Sequence, residues 1–255
     1  MSLRNRIRLI WIALAVLLAA VWFQRRGNLG VNWELQSGFL VIVIGIIVSI
    51  ILFGRSLRRF RGALAIEDIP AARREHADLA DLCRRRGRET IKAFHISILL
   101  LEEQYQDALN ELQALNLSKL AKNAAPVVQN QIAWCQMQLG DPEKALQIAQ
   151  SVLPQLEKMG TDYGLSGHDV VGTAKLFLGK PSEALPHLEK VCVGSAHLPA
   201  MKVSAAFYLG EAFSALGEPD EAREAYQQAH DALPTSRYGM RASERLKAGP
   251  ANRRV

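Results

Sequence analysis

The chain has 255 residues, 49% of them hydrophobic and 22% charged, with a formal net charge of +6, a length that allows one large domain or two small ones. The charge is unevenly placed: residues 1–62 net +8 from nine Arg against Glu34, 63–88 net +1, 89–234 net −8 from ten basic and eighteen acidic residues, and 235–255 net +5. A nucleic-acid binder gathers its cations on the folded body to displace counterions from phosphates, so an acidic body excludes nucleic acid as the expected partner.

Two apolar runs come first. Leu9 to Phe23 is fifteen residues without a charge and Gly38 to Gly54 is seventeen. As helices they reach roughly 22 and 26 Å against a hydrocarbon core of about 30 Å. Snorkelling by Arg8 and Arg55, with Trp11, Trp22, Phe23, Trp33 and Phe53 at the interfaces, makes up the shortfall. The first run also suits the apolar region of a secretory signal peptide, but no small-x-small cleavage site follows it, and an uncleaved anchor is the favoured reading. Three Arg precede the first run, two lie between the runs and four follow the second. The positive-inside rule then puts both ends of a two-span hairpin in the cytoplasm, at the inner membrane. Arg55, Arg58, Arg59 and Arg61, with Leu57 and Phe60 interleaved, are candidates for anionic lipid headgroups at about 1 kcal/mol per charge. The alternative is that they determine topology alone.

Beyond Gly62 the apolar residues recur with helical period and no run alternates like a strand. Pro70 to Arg86 is expected as a helix ending at Gly87 with Leu79 and Leu82 inward, either a connector or half of a degenerate repeat. Three later segments share the frame G-x-P-x-x-A: Gly140 to Ala145, Gly179 to Ala184 and Gly217 to Ala222. A degenerate fourth, Glu103 to Ala108, precedes them. The alanines Ala108, Ala145, Ala184 and Ala222 are spaced by 37, 39 and 38 residues. Gly ends one helix, Pro opens the next, and Ala lets the two approach closely, so the frame marks the turn of a helical hairpin.

These segments resemble the tetratricopeptide repeat family. The last unit carries Leu209, Gly210 and Phe213, then Ala222, Tyr226, Ala229 and Pro234, at the family's spacings. Weaker matches are Val171, Gly172, Ala184, Leu188 and Val191 in the third unit, Ile132, Ala133, Ala145, Ala149 and Val152 in the second, and Ile96, Ala108, Leu112 and Leu115 in the first. The family period is about 34 residues; the polar, Gly-rich stretch Gly160 to Gly167 is expected to absorb the excess as a loop between units. Ser236 to Ala248 is expected as a final capping helix begun by Thr235 or Ser236.

The expected fold class is therefore all-α: an N-terminal transmembrane helical hairpin and basic segment (1–62), a connector helix (63–88), an α-solenoid of about four helix pairs (89–234, in units of about 89–122, 126–159, 165–198 and 203–236), and a capping helix with tail (235–255).

No motif supports catalysis, a cofactor or a metal. There is no phosphate-cradling glycine loop, HExxH or nucleophile elbow. Cys83, Cys135 and Cys192 form no CxxC and are expected to be packing residues, and His76, His95, His168, His187, His197 and His230 are scattered singly. The resemblance implies instead a concave face lined by the first helix of each unit. It carries over to Asn130, Trp134 and Met137, then Asp169, Thr173 and Phe177, then Phe207 and Glu211, as residues contacting a protein or peptide partner with basic groups. The alternative is that Trp134, Phe177 and Phe207 only cover neighbouring helices. The Lys, Asn and Arg clamp of chaperone-tail-binding members is missing from these places. In layout the chain resembles bacterial envelope proteins in which a membrane segment precedes cytoplasmic repeats. The expected role is a non-enzymatic membrane-anchored scaffold or adaptor, with an assembly subunit of a larger membrane complex as the alternative.

Overall fold

The computed structural model describes residues 32–82 and 88–248. Its contacts divide into two compact units, one from the N-terminal 62 residues with 70–91, the other from 63–69 with 92–255.

In the first unit, α1 (Asn32–Ala65) continues without a break from the apolar run into the arginine-bearing stretch, and α2 (Ile69–Leu82) follows it. Ser56 and Phe60 of α1 and Ala72 and Leu79 of α2 are buried. Phe60 stands 6.4 Å from the ring of His76, and Arg59 pairs with Glu75 at 3.7 Å. These contacts, made across a connection of three residues (66–68), describe an antiparallel helix hairpin. The turn repeats the frame in degenerate form: Glu67 holds the left-handed backbone (φ 55°) that glycine holds elsewhere, and Ala72 precedes Ala108 by 36 residues. The segment expected as a connector is thus the second helix of a hairpin whose first helix carries the arginines.

The expected pair of spans finds no support here. Among the described residues no helix is long and apolar enough to cross a membrane. The first run, Leu9 to Phe23, lies outside the described residues. The helix of the second runs on to Ser56 and Phe60, which are buried. Arg55, Arg58, Arg59 and Arg61 are carried on this same helix.

The second unit is all-α. Its helices are α3 (Arg88–Leu101), α4 (Tyr105–Gln113), a 3-10 turn (Leu117–Lys119), α5 (Ala124–Gln138), α6 (Pro142–Met159), α7 (Thr161–Phe177), α8 (Pro181–Gly194), α9 (Pro199–Leu216), α10 (Pro219–Ala232) and α11 (Arg237–Ala248). They pack as successive hairpins α3/α4, α5/α6, α7/α8 and α9/α10, with α11 against α9 and α10. Proline occupies the first turn of α6, α8, α9 and α10, where its missing N–H costs nothing. Gly217 closes α9 in the left-handed region at φ 81°, and Asp141 caps α6 by accepting from the Lys144 N–H at 3.1 Å. All four frame alanines are buried.

Close approach is visible twelve residues before the last two frame alanines. A Cβ on Gly172 would stand 2.9 Å from Leu188 Cγ, and one on Gly210 would stand 2.6 Å from Tyr226 Cε1. Both glycines are required by packing, not by backbone conformation. The same reason corrects the loop expected at Gly160 to Gly167. Only Gly160 breaks the chain, at φ 131°, and α7 begins at Thr161. Gly167 lies so close to α6 that its Cβ would meet Leu153 Cδ1 at 2.8 Å. The glycines that looked like loop formers are contact points between two helices of 18 and 17 residues. Here the excess over the family period goes into helix length; between the first two pairs it goes into the 3-10 segment.

Candidate partner-binding face

The first helices of the pairs turn one face towards each other across the second unit, and that face converges on Tyr208 of α9. Trp134 of α5 meets the Tyr208 ring edge-on at 6.3 Å, Phe177 of α7 at 5.8 Å, and Phe207 at 5.4 Å. The Tyr208 hydroxyl accepts from Gln138 Nε2 at 3.3 Å and lies 3.1 Å from the hydroxyl of Tyr238 on α11. Contacts reaching from the second pair to the fourth mean that the face is inwardly curved and largely filled.

Helix α11 closes it. Tyr238 is buried, and its ring packs 5.5 Å from Phe207. Ser236 fixes the start of the helix, accepting from the Gly239 N–H at 3.0 Å and donating to the Leu233 carbonyl at 2.8 Å; of the two expected capping residues, Ser236 does the work. Arg237 crosses to the first pair and donates through Nη1 to the Leu100 carbonyl at 3.1 Å and to the Tyr105 hydroxyl at 3.2 Å. Its backbone N–H donates to Glu67 Oε2 at 3.0 Å, and its guanidinium covers the Tyr238 ring at 4.6 Å. Arg241 donates to Glu103 at 2.8 Å, and Arg245 holds Glu211 in two bonds of 2.7 and 3.1 Å.

Of the residues proposed to contact a partner, Trp134, Phe177, Phe207 and Glu211 lie around this convergence. Glu211 also accepts from the Tyr226 hydroxyl at 2.7 Å. Phe177 keeps 45% of its surface exposed. Asn130 is buried and donates to the Ser166 carbonyl at 3.2 Å, while Met137 and Thr173 are buried in the packing. Asp169 stands on α7, within electrostatic reach of Arg237. Its Oδ1 is buried with no hydrogen-bond partner, and burial, opposed in part by the charge of Arg237, pushes its carboxyl up to about 7. Tyr208, Tyr238 and the three α11 arginines escaped the sequence reading. The signal available was Arg237, Arg241 and Arg245 at four-residue spacing beside Tyr238, following an acidic body.

A second polar group joins α6, α7 and α8. His168 Nδ1 is 2.8 Å from His187 Nδ1, and Glu157 Oε1 and Lys190 Nζ approach His168 Nε2 at 3.1 and 2.7 Å. Burial holds His187 down to about 4. Cys135 and Cys192 are pushed up to about 12 by burial, which removes thiolate chemistry at neutral pH. Among the described residues no group of three or more His, Cys, Asp or Glu is placed to hold a metal ion.

Two stretches, 131–153 and 203–236, match tetratricopeptide repeat families. The chain carries tetratricopeptide repeats. The matches fall on α5/α6 and α9/α10, two of the hairpins built on the alanine frame. Comparison with curated proteins gives no match. Among solved structures, the chain is similar to YrrB, described as a TPR protein with an unusual peptide-binding site, at 15% identity over 73% of this chain and 89% of that one, TM-score 0.42. It is similar to a MamA RS-1 ArsTM double mutant at 22% identity over 61% and 89%, TM-score 0.40. A third is the P58(IPK) TPR domain, at 14% identity over 96% and 75%, TM-score 0.31. The tetratricopeptide array is an all-α helical solenoid, a fold suited to protein interaction.

Proposed function

We propose that this protein is a scaffold without chemistry of its own, which captures a protein or peptide segment on the inner face of its tetratricopeptide array. The observation that carries the reading is the convergence of Trp134, Phe177 and Phe207 on one ring, with Glu211 and Glu103 holding the arginines of the helix that covers it. Aromatic anchors give binding energy, and the carboxylates select a basic partner and steer it in. The acidic balance of residues 89–234 supports the same partner chemistry. Phe177 is the test position, because its exposed ring contributes little to the fold: Phe177→Ala should abolish recovery of the crosslinked partner from cells while leaving helix content unchanged. Undiminished recovery refutes the assignment of this face.

We further propose, from the charge pattern and the uncharged Gly38 to Gly54 run, that the N-terminal segment attaches the array to the cytoplasmic side of the inner membrane, with Arg55, Arg58, Arg59 and Arg61 towards anionic lipid. Supporting this, α1 exposes Ile46, Ile47, Ile50 and Ile51 on one stripe, each 49–65% open, and such a stripe is unfavourable in water. A reporter fused after Val255 is expected in the cytoplasm, and alkaline phosphatase activity there refutes the orientation. The same stripe favours a second reading, an assembly subunit whose N-terminal segment makes the specific contacts. Replacing residues 1–54 with an unrelated anchor separates the two: capture survives in a scaffold and is lost in a subunit.

A further inference from the structure

The array already holds a helix on its inner face, and that helix is its own. Helix α11 carries Arg237, Arg241 and Arg245 every fourth residue and Tyr238 beside them. Their acceptors are Glu67, Glu103 and Glu211, on three different hairpins. Glu67 and Glu103 are the non-glycine residues with left-handed backbone among those described, at φ 55° and 59°. That conformation is unfavourable for glutamate, yet both carboxylates lie against α11 arginines, at 3.8 Å from Arg237 Nε and 2.8 Å from Arg241 Nη2.

The hold is uneven. Tyr238 and Ser236 are buried, whereas the Arg241 and Arg245 side chains are 43% and 56% exposed, and exposed ion pairs contribute little. The fit is also incomplete, since Asp169 Oδ1 on α7 receives no donor while Arg237 Nε on α11 meets no hydrogen-bond acceptor. A different segment that brings a donor to Asp169 satisfies a group α11 leaves unmet. The charge balance, −8 on the repeats against +5 on the last 21 residues, is equally open to a basic segment from outside.

We infer that α11 is a displaceable occupant of the inner face, and that the partner replacing it is a segment of the same kind: a helix with an aromatic ring and arginines repeated at four-residue intervals. This rests on the reading of the array as a protein-binding scaffold. The partner's ring takes the place of Tyr238 against Phe207 and Tyr208, and its arginines take Glu103 and Glu211.

The test uses the full-length chain in detergent and, as probe, a labelled synthetic peptide of residues 234–248. Anisotropy reads binding, and hydrogen exchange reads the amides of residues 240–245. Saturating peptide is expected to speed exchange of those amides at least tenfold. Arg241→Ala combined with Arg245→Ala in the protein is expected to tighten peptide binding at least tenfold, and adding Glu103→Gln with Glu211→Gln to reverse that gain. Peptide that binds without changing α11 exchange overturns displacement and leaves the scaffold reading standing. Failure to bind both the wild type and a loosened variant of normal helix content overturns the partner chemistry. Should the loosened variant not fold, the exchange experiment on the wild type decides alone.

Discussion

Replacing Gly210 with alanine tests whether the repeat is held together by small-residue contact. The added Cβ would lie 2.6, 2.7 and 3.0 Å from three atoms of the Tyr226 ring, so one partner must move by close to an ångström. The ring is poorly placed to yield, because its hydroxyl is bonded to Glu211 at 2.7 Å and its face packs on Phe207 at 5.9 Å. Overpacking of this kind costs about 1–3 kcal/mol. Alanine returns up to about 1 kcal/mol of helix propensity, leaving a net loss of about 1–2 kcal/mol. In Tyr226→Ala, which itself loses about 3–5 kcal/mol by analogy with other large aromatic truncations, the obstacle is gone, and the same Gly210→Ala change should become stabilising by up to about 1 kcal/mol. The second pair already uses this combination, with Ala133 and Ala149 both buried at the corresponding places. Urea unfolding of the four chains in the cycle gives the coupling. An equal effect of Gly210→Ala in both backgrounds refutes the packing argument. Gly62→Ala, whose Cβ meets nothing within 4 Å, is the control and should gain up to about 1 kcal/mol.

Four other outcomes are expected. Ser236→Ala removes the cap of α11 and should cost about 1 kcal/mol, seen as a lower melting temperature with the loss concentrated in α11 exchange. His187 is held down to about 4 while the unfolded imidazole titrates near ~6.5; the unfolded chain binds more protons between those values, so stability present above pH ~6.5 is lost as pH falls towards 4, and His187→Gln should flatten that fall in thermal melts. Asp169 has the opposite sign: raised from 3.8 to about 7, it supports the fold below the lower value and loses that contribution as pH rises through the upper one, so Asp169→Asn should gain on the wild type between pH 5 and 8. Trp134→Ala should destabilise by about 3 kcal/mol, since its ring packs against two core clusters, whereas Phe177→Ala should cost under about 1 kcal/mol.

The hairpins were legible in the sequence because each depends on local requirements: a residue to end one helix, a proline to open the next, an alanine to let them touch. The turn at Glu67 to Ala72 escaped for the same reason. Glutamate stands where the frame has glycine and Pro70 comes one place late, so nothing in the letters announces the left-handed backbone that Glu67 adopts. At Gly160 to Gly167 composition misled, because glycine that relieves a crowded helix contact looks identical to glycine that frees a loop. The residues named as lining lie on the first helices, but helix phase alone does not say which of them face outward. Asn130, Met137 and Thr173 went into the packing because adjacent first helices close upon one another, a consequence of curvature that accumulates over four pairs.

That curvature gives the small residues a role beyond each hairpin. Twelve residues before the frame alanine, the series runs Phe60, Ile96, Ala133, Gly172, Gly210, and sixteen residues after each member stands its partner: His76, Leu112, Ala149, Leu188, Tyr226. Where the first member shrinks to glycine the partner is large, so contact is kept while the helix axes draw together. Within this series the tightest contacts therefore fall in α7/α8 and α9/α10, the pairs that bring Phe177 and Tyr208 towards Trp134. Here the late pairs fold the lining inward, so that Trp134, Phe177 and Phe207 meet at Tyr208. Helix α11 covers that lining, and its arginines find carboxylates on three hairpins, at Glu67, Glu103 and Glu211. Binding by this protein is thus a question of replacement: an entering segment must match what the last helix already provides in aromatic and cationic contact, and it gains on that helix where it brings a donor to Asp169 Oδ1, a buried acceptor the resident helix does not reach.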